Sequence, residues 1–443
     1  MGANRLLDQI RLLAPAQPLG EPDPRLSDLL VDALGVGVAG QTTSTAQAAA
    51  AVLGHSGTPW DLAWLHGIRI HALDYDDTHE PSLCHTAAAI VPGLLALAIE
   101  RDLSGPEVLH ALDFGLRVVA FLAPLGSRLN EMGVHSTGAV GSLGAAAACA
   151  WLLSRDDRVC LAAVDMAAVM AAGLAAAFGT DTKPVQAGRA AEVGVRAALF
   201  TEQGIGAPRD ALFGRFGIFT LWLGEDAAQL ADWGSTHADA SRQVALKPYP
   251  SCFLTHAVID GVLAVRRDLD LRDESAVTQV SLTVHPIAAT IADKTALVDS
   301  ADAKFSLRYC VLAALRDGSP TVATFAEAQW RQACADQLAW TSWSDRFEVT
   351  REARMPQIGA RIALMTQNGT HATHEVLAPR GSVGNPLASA DIDAKFRANT
   401  AGALGPRGGD VLAELRSFAR LDRVRDARFV PDLLPPRALA ARA

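Results

Sequence analysis

The stretch ARIALMTQNGTHATHEVL, residues 360–377, decides which fold the second half of the chain adopts. Apolar and polar residues alternate on both sides of Asn368-Gly369, a dipeptide typical of a tight β-hairpin turn. The segments AVTQVSLTVH (276–285) and RFEVTREA (346–353) alternate in the same way. A period of two predicts strands with one buried face, so this part of the chain contains a β-sheet.

Helical patterns surround these strands. Residues 304–318 and 324–339 lie between the strands and both have a helical pattern. From residue 25 to about 230, Ala/Leu/Val-rich segments are separated by Gly, Pro and Asp, and N-cap residues stand before several of them. These segments are 24–40, 87–103, 105–126, 136–153, 158–179 and 186–204. The sequence therefore predicts a mainly α protein with an α+β second domain.

The composition is that of a globular protein and excludes several classes of partner. The 443 residues are 50% hydrophobic and 20% charged, with a net charge of −9. No Lys/Arg-rich run occurs, so we expect neither nucleic acid nor a membrane as a partner. The most membrane-like segment, residues 166–179, is shorter than the roughly 20 residues of a membrane span and predicts a buried helix.

The cysteines and the N-terminal segment indicate a reducing compartment. Six cysteines are scattered without a CxxC pair, which argues against a zinc ribbon or a local iron–sulfur motif. Acidic residues and prolines interrupt the first 25 residues, which therefore lack the apolar core of a signal peptide. We expect a cytoplasmic protein.

Lysine and tyrosine are rare in this chain. Of 39 basic residues only five are lysine, and only three residues are tyrosine. Arginine serves where any positive charge suffices, so a retained lysine suggests a need for a compact ammonium group that can titrate. The alternative is a bias in base composition. The rare residues are Lys183, Lys247, Lys294, Lys304, Lys395, Tyr75, Tyr249 and Tyr309.

Titratable residues are concentrated in HALDYDDTHEPSLCHT, residues 71–86, within an otherwise apolar region. The cluster can be a metal site, although its spacing matches no standard ligand set. It can also carry out acid/base chemistry or contact a substrate. In the third interpretation, Asp77 or Thr78 only caps a turn before a helix that starts at Thr86. The candidates are Asp74, Asp76, Asp77, His79 and His85.

His135 and Lys183 lie near two predicted helix starts. His135 precedes a Gly/Ser-rich helix start, where free N–H groups favour an anion such as a carboxylate, although a lone histidine there is more often structural. Lys183 precedes Pro184, and we expect it outside the helix that Gln186 or Gly188 would begin. Alternatively, Lys183 simply pairs with Asp181.

Further candidate binding groups come from the second half of the chain. Two prolines stiffen the loop ALKPYPSCFLTH (245–256), which carries Lys247. If residues 304–310 are helical, Lys304 and Arg308 share one face at i and i+4, with Tyr309 beside them. The glycine-rich loop GSVGNPL (381–387), which contains Gly384, can wrap a carboxylate in backbone N–H groups. Arg189 is a further candidate for reaching a ligand.

Six blocks of this sequence resemble the MmgE/PrpD family, which includes 2-methylcitrate dehydratase, cis-aconitate decarboxylase and iminodisuccinate epimerase. The blocks are HALDYDDT, GVHSTGAVGSLGAAAA, TDTKPVQAGRAAEVGV, LKPYPSC, KFSLRYCVLAAL and NPLASADIDAKFRA. The resemblance implies a large all-helical domain (1–245 and 396–443) plus a smaller α+β lid domain (246–395), with the pocket between them. It also implies a homodimer.

The resemblance places the family's active-site positions on seven residues. They are Asp74, Thr78, His85, His135, Lys183, Lys247 and Tyr309. Two departures bear on the substrate. His85 is followed by Thr86, where proline is usual, and Gln186 stands where members of the family often have histidine.

We therefore expect a metal-independent lyase, without a cofactor, that acts on a small di- or tricarboxylate by proton transfer at a carbon next to a carboxylate. The reaction resembles that of 2-methylcitrate dehydratase or cis-aconitate decarboxylase. The alternatives are an epimerase or isomerase using the same pocket, a metal-dependent hydrolase built on residues 71–86, and a non-catalytic protein that binds carboxylates. The expected catalytic residues are Asp74, His85, His135, Lys183, Lys247 and Tyr309, and the expected substrate contacts are Thr78, Arg189, Lys304, Arg308 and Gly384.

Overall fold

Residues 3–15 and 20–230 form a bundle of α-helices in the computed structural model, which describes residues 3–15 and 20–433. The helices are α1 (Ala3–Leu13), α2 (Pro24–Gly40), α3 (Ser44–Leu53), α4 (Pro59–His71), α5 (Thr86–Arg101), α6 (Gly105–Phe121), α7 (Ala123–Glu131), α8 (Ser142–Ser154), α9 (Asp157–Ala168), α10 (Thr182–Glu202) and α11 (Ile218–Leu223). Residues 1–2, 16–19 and 434–443 of the predicted first domain lie outside the described residues.

Glycines allow the helices of this bundle to approach closely. Helices α4 and α10 meet at Gly67 and Gly188, where a Cβ atom on Gly67 would lie 2.6 Å from the Cα atom of Gly188. A side chain at either position would force the helices apart. This contact matters for the site because α4 ends at His71 and α10 carries Lys183 in its first turn.

Several predicted helix boundaries are wrong, and two of them lie close to His135 and Lys183. Helix α9 ends at Ala168, so residues 166–179 are not one buried helix. The chain instead turns back on residues 133–135, because the His135 N–H donates to the Gly173 carbonyl and the Ala175 N–H donates to the Gly133 carbonyl. Helix α10 begins at Thr182, so Lys183 lies inside it. Pro184 is tolerated there because N–H groups of the first turn have no partner within the helix.

Among the described residues, one straight helical stretch, Thr137–Ser154, is long and apolar enough to cross a membrane. It consists of a π-helical turn (Thr137–Gly141) followed by α8. However, 89% of this stretch is buried inside the protein. Such burial is typical of the core helix of a globular bundle.

The second unit contains the predicted sheet. Two short strands, β1 (Thr78–His79) and β2 (Val244–Ala245), come before this sheet in the sequence and pair with each other in antiparallel orientation. The main sheet has the strand order β4-β3-β5-β6. Its strands are β3 (Val277–Val284), β4 (Phe347–Arg351), β5 (Ala360–Thr366) and β6 (His371–Val376). The predicted strands and the hairpin are confirmed, and Gly369 adopts the positive φ of 81° that its turn requires.

Helices cover the sheet and close the second unit. They are α12 (His256–Asp268), α13 (Pro286–Ile291), α14 (Ser300–Lys304), α15 (Leu307–Asp317), α16 (Glu327–Cys334) and α17 (Gln337–Ser344). A hydrophobic core that begins at Tyr249 holds this unit together and is separate from the core of the bundle. The predicted fold class, a large helical domain with a smaller α+β domain, is therefore confirmed.

The chain returns to the bundle at α18 (Ser389–Leu404) and ends with α19 (Gly408–Arg416) and α20 (Val430–Leu433). Phe396 of α18 packs against Gly35 of α2, where a Cβ atom would lie 2.9 Å from the Phe396 ring. Ile392 also belongs to the core of the bundle. The bundle thus resumes at Ser389, ahead of the boundary expected at residue 396.

Candidate active site

A cavity lies where the bundle meets the second unit. It has about 640 Å³ of space, counting its open mouth, within the range of about 300–1,000 Å³ that is usual for small-molecule sites. Its lining consists of Asp74, Thr78, Leu83, His85, Asn130, His135, Phe178, Lys183, Lys247, Cys252, Phe253, Leu254, Ile287, Ile291 and Phe305. Six of the seven residues singled out by the family resemblance are therefore in one place.

Asp74 is held between two lysines in the wall of the cavity. Lys183 Nζ donates to Asp74 Oδ1 at 3.1 Å, and Lys247 Nζ donates to the same oxygen at 2.6 Å. Lys247 also donates to the backbone carbonyl of Asp74 at 2.9 Å. Asp74 adopts a positive φ of 51°, a conformation that costs energy for a residue with a side chain. The surrounding contacts therefore hold the carboxylate at a fixed position between the two ammonium groups.

Charge pairing outweighs burial at Asp74 and Lys247. Burial alone would raise the pKa of Asp74, but Lys183 and Lys247 together hold that pKa well below its usual value. Burial likewise opposes the charged form of Lys247, while Asp74 and Asp76 raise the pKa of Lys247. Asp74 and Lys247 thus both remain charged near neutral pH, and two lysines facing one aspartate give the cavity wall an excess of positive charge.

His85 presents a proton acceptor to Lys183. Its Nδ1–H donates to the Asp77 carbonyl at 2.7 Å, and a carbonyl oxygen only accepts, so Nε2 carries the lone pair. That Nε2 lies 3.5 Å from Lys183 Nζ. Burial, followed by the charge of Lys183, holds the pKa of His85 well below its usual value. His85 is therefore a neutral imidazole within reach of an ammonium group.

His135 is oriented by Gln186. Gln186 Nε2 donates to the Leu174 carbonyl at 3.4 Å, so its Oε1 faces His135 and accepts the Nδ1–H at 3.0 Å. Nε2 of His135 is buried and has no partner in the part of the chain that the structure describes. Burial, followed by the charge of Lys183, lowers the pKa of His135 to about 3. The free Nε2 atom is thus available to a bound molecule.

The sequence assigned no role to His71. In the structure, His71 contacts Asp76 and His85 and helps to hold the site residues in position. Its Nδ1–H donates to the Asp76 carboxylate at 2.9 Å, and its ring packs against the His85 ring with centroids 4.3 Å apart. Lys395 similarly supports Lys247 by donating to its carbonyl at 2.8 Å. The pairing of His71 with Asp76 depends on a tight turn after α4, which spacing alone does not reveal.

Two members of the acidic stretch have structural roles. Asp77 accepts hydrogen bonds from the N–H groups of Thr86 and Ala87 and thereby caps α5, as one interpretation of the sequence predicted. Burial raises the pKa of Asp77 to about 7. His79 bonds to Ser82 at 2.8 Å in the β1 turn and faces away from the cavity. The stretch therefore combines helix capping with site residues.

Four buried residues of this stretch carry atoms that are potential ligands for a metal ion. Potential ligand atoms of His71, Asp74, Asp76 and His85 lie within 4.8 Å of one another. However, Asp74 already accepts from two ammonium groups, and the Asp76 carboxylate is taken up by the Nδ1–H of His71. A cation here would meet the repulsion of both lysines. The charges therefore fit an anion better than a metal ion.

Five expected residues do not line the cavity, and four of them are held by other parts of the protein. Tyr309 donates its hydroxyl to the Thr324 carbonyl at 2.7 Å within the core of the second unit. The remaining three are held elsewhere: Arg189 pairs with Glu192, Arg308 pairs with Asp293, and the loop of Gly384 is fastened to Glu80 through Val383. They lie away from the cavity because each side chain or loop has a nearer partner that is distant in sequence or on another turn of its helix.

Lys304 lies in the wall of a second, neighbouring chamber and not in the main cavity. It ends α14, and Ser306 caps the next helix, so the continuous helix expected to place Lys304 and Arg308 on one face is wrong. Thr78, by contrast, lines the cavity, and its hydroxyl is buried without a protein partner.

The fold and the cavity define a two-domain protein with a cationic site between a helical bundle and an α+β unit. The MmgE/PrpD N-terminal domain profile matches residues 24–231, and the MmgE/PrpD C-terminal domain profile matches residues 249–417. The chain therefore belongs to the MmgE/PrpD family.

Named relatives narrow the class of activity. The chain is 27% identical to cis-aconitate decarboxylase of Homo sapiens over 401 residues, covering 85% of this chain and 82% of that protein. It is 28% identical to cis-aconitate decarboxylase of Mus musculus over 363 residues, covering 77% and 72%. It is 29% identical to the cis-aconitate decarboxylase-like protein oryM of Aspergillus oryzae, covering 45% and 46%. The family and these relatives support a lyase.

Proposed function

We propose that the protein is a metal-independent lyase that removes CO2 from a small di- or tricarboxylate resembling cis-aconitate. The observation that carries the proposal is the pair of ammonium groups, Lys183 and Lys247, on one carboxylate in a largely buried cavity. Such a wall binds the carboxylates of a substrate and stabilises an anionic intermediate without a cofactor. The names of the relatives agree with this substrate class.

The reaction has two steps. The C–C bond to one carboxylate breaks and its electron pair stays on the carbon, which gives CO2 and a carbanion delocalised into a neighbouring carboxylate. Lys183 and Lys247 stabilise the resulting charge on the carboxylate oxygens. A proton then forms the new C–H bond, so each turnover consumes one proton.

The histidines supply that proton only after the substrate is bound. In the free protein His85 and His135 are neutral, because burial and Lys183 lower the pKa of both. A bound polycarboxylate places negative charge beside them and raises the pKa of each. Protonated Nε2 of His135, oriented by Gln186, then faces the substrate carbon and donates.

The placement of Tyr309 favours decarboxylation over dehydration. A dehydratase needs an acid at the departing hydroxyl, and a tyrosine such as Tyr309, one of the expected catalytic residues, can donate that proton. Its hydroxyl instead donates to Thr324 inside the second unit. Decarboxylation expels no hydroxide and needs no such acid.

Incubation with cis-aconitate, monitored by NMR in D2O, tests the proposal. Decarboxylation gives a five-carbon product with deuterium at the new C–H position and releases CO2. A dehydratase would act instead on 2-methylcitrate, and an epimerase would exchange an α-proton without loss of mass. Loss of activity after chelation, restored by a metal ion, would support the alternative of a metal-dependent hydrolase.

The proposal also includes the oligomeric state, the cellular compartment and the substrate class. We expect a homodimer in the cytoplasm with a small polycarboxylate as its substrate. All six cysteines are free, as expected in a reducing compartment. Sedimentation equilibrium of the purified protein tests the dimer.

A further inference from the structure

A second chamber lies on the far side of the Lys183–Asp74 pair. It has about 530 Å³ of space, counting its mouth, which is comparable to that of the main cavity. Residues at the start of α3, the start of α10 and the end of α14 form its wall. Its lining includes Ser44, Thr45, His71, Thr180, Ser300 and Lys304. Lys247 lines only the main cavity, and Lys304 lines only this chamber.

Lys304 differs from the other lysines in having no carboxylate partner within residues 3–15 and 20–433. Each of the other four forms an ion pair with an aspartate, whereas Lys304 donates only to the Ala72 carbonyl at 3.2 Å. It is only 7% exposed. A buried ammonium group without a carboxylate in direct contact is costly, and Asp74 and Asp181 act on Lys304 only through space.

The charges around the chamber add up to an excess of one positive charge. The groups that act on Lys304 are Asp74, Lys183, Lys247 and Asp181. Asp74 is already shared by two lysines, and Asp181 accepts a hydrogen bond from Thr45. Burial is the main reason that the pKa of Lys304 falls to about 8. A bound anion would supply the missing counter-charge.

His71 provides a second buried polar atom in the same wall that has no hydrogen-bond partner among the described residues. Its Nδ1–H is taken up by Asp76, so Nε2 is an acceptor, and that atom is buried without a protein partner. Only 1% of His71 is exposed. His71 and Lys304 both line the chamber, and the charge of Lys304 acts on the His71 imidazole. A ligand that satisfies both needs an anionic oxygen for Lys304 and a hydroxyl that donates to His71.

We infer that this chamber is a second binding site, distinct from the main cavity, for a small hydroxycarboxylate. The carboxylate pairs with Lys304, and the hydroxyl donates to His71 Nε2. The Ser44 hydroxyl provides an additional donor at the chamber wall. The inference does not depend on the reaction in the main cavity.

The small number of lysines makes a direct test possible. Protein labelled with 13C at the ε-carbon of lysine gives one NMR signal for each of five residues. Lys304 reports on the chamber, Lys247 reports on the main cavity, and Lys294 serves as a reference. The probes are lactate, which has a carboxylate and a hydroxyl, and propionate, which lacks the hydroxyl.

We expect lactate to shift the Lys304 signal with saturation and to raise the pKa of Lys304 by about one unit, because the anion favours the charged form. Propionate should bind about fivefold more weakly, since it leaves the buried acceptor of His71 unsatisfied. Ala301→Leu, which fills the chamber, should abolish the shift of the Lys304 signal on addition of lactate. The Lys247 signal, which reports on the main cavity, should behave as in the wild type. Ala296→Leu, at an exposed position outside the chamber, is the matched control.

The inference is overturned if Lys304 fails to respond at lactate concentrations up to 100 mM, on the order of those that saturate weak carboxylate sites. It is also overturned if Ala301→Leu leaves the Lys304 response unchanged, or if lactate and propionate bind equally well. Failure of the proposed decarboxylation leaves these signals unaffected, so the two proposals fail separately.

Discussion

Replacing Asp74 by asparagine removes the one negative charge between Lys183 and Lys247 while keeping the size of the side chain. The two N–O distances are 3.1 Å and 2.6 Å. At an effective dielectric constant of about 20, each pair has a Coulomb energy of about 5–6 kcal/mol. Desolvation offsets much of this energy, and breaking a buried pair typically costs about 3–5 kcal/mol. We therefore expect Asp74→Asn to lower the free energy of unfolding by about 3–5 kcal/mol at pH 7.

Thermal unfolding followed by calorimetry measures this loss. For a chain of this length the unfolding entropy is roughly 0.9 kcal/mol/K if it unfolds as one unit, so the expected fall in Tm is about 3–5 °C. The pKa of Asp74 is lowered in the folded state, so its stabilisation is present above its ordinary pKa near 4 and is lost as the pH falls through the folded value. The difference between wild type and variant should therefore shrink in acid.

Two controls sharpen this prediction. Asp181→Asn changes an exposed carboxylate nearby and should leave the Tm within about 1 °C of wild type. Combining Asp74→Asn with Lys183→Met removes one charge of each sign and should cost less than the sum of the single changes. An Asp74→Asn variant as stable as wild type at pH 7, or a difference that grows in acid, would refute the pairing described above.

Three further predictions concern the histidines and the tyrosine. Gln186→Glu places a carboxylate beside the Nδ1–H of His135 and should raise the pKa of His135 from about 3 by about one to three units, which 15N NMR of the histidines measures; an unchanged pKa would contradict the hydrogen bond. Binding of tricarballylate, a tricarboxylate that cannot be decarboxylated by the proposed route, should take up about one proton below pH 7, detected by titration calorimetry in buffers of different ionisation enthalpy; identical heats would show that no histidine is protonated. Tyr309→Phe should leave the rate of decarboxylation nearly unchanged and lower the free energy of unfolding by about 1 kcal/mol, because the hydrogen bond to Thr324 is lost. Loss of turnover without loss of stability would show that Tyr309 acts in the active site.

The strands and the hairpin could be predicted from the sequence because their patterns involve residues that are close together in the chain. The alternation around Asn368-Gly369 predicted the hairpin, and the strands at 276–285 and 346–353 followed from the same period. The segment 166–179 was misread because an alanine-rich stretch has no period that separates a helix from a folded-back loop. There the choice depends on hydrogen bonds to residues 133–135, which are distant in sequence.

The lysines of the site were partly predictable from their scarcity. Rarity pointed to Lys183 and Lys247, and the structure brings both to Asp74. The same reasoning selected Tyr309, which instead serves the core of the second unit. Scarcity marks residues that are hard to replace, but it does not separate a catalytic role from a buried hydrogen bond.

The partners of the site residues were beyond sequence reasoning. His71 binds Asp76 because α4 ends in a tight turn, and Gln186 meets His135 because the loop before α10 folds back over it. Ser306 breaks the helix between Lys304 and Arg308 by capping the next one. Each of these contacts depends on where the backbone turns, to within about one residue.

A crystal structure with tricarballylate, a saturated tricarboxylate that cannot lose CO2 by the proposed route, tests the central claim most directly. We predict one carboxylate within about 3 Å of both Lys183 Nζ and Lys247 Nζ, and a second group facing Nε2 of His135. A cation coordinated by His71, Asp76 and His85, or a ligand bound away from both lysines, would contradict the account.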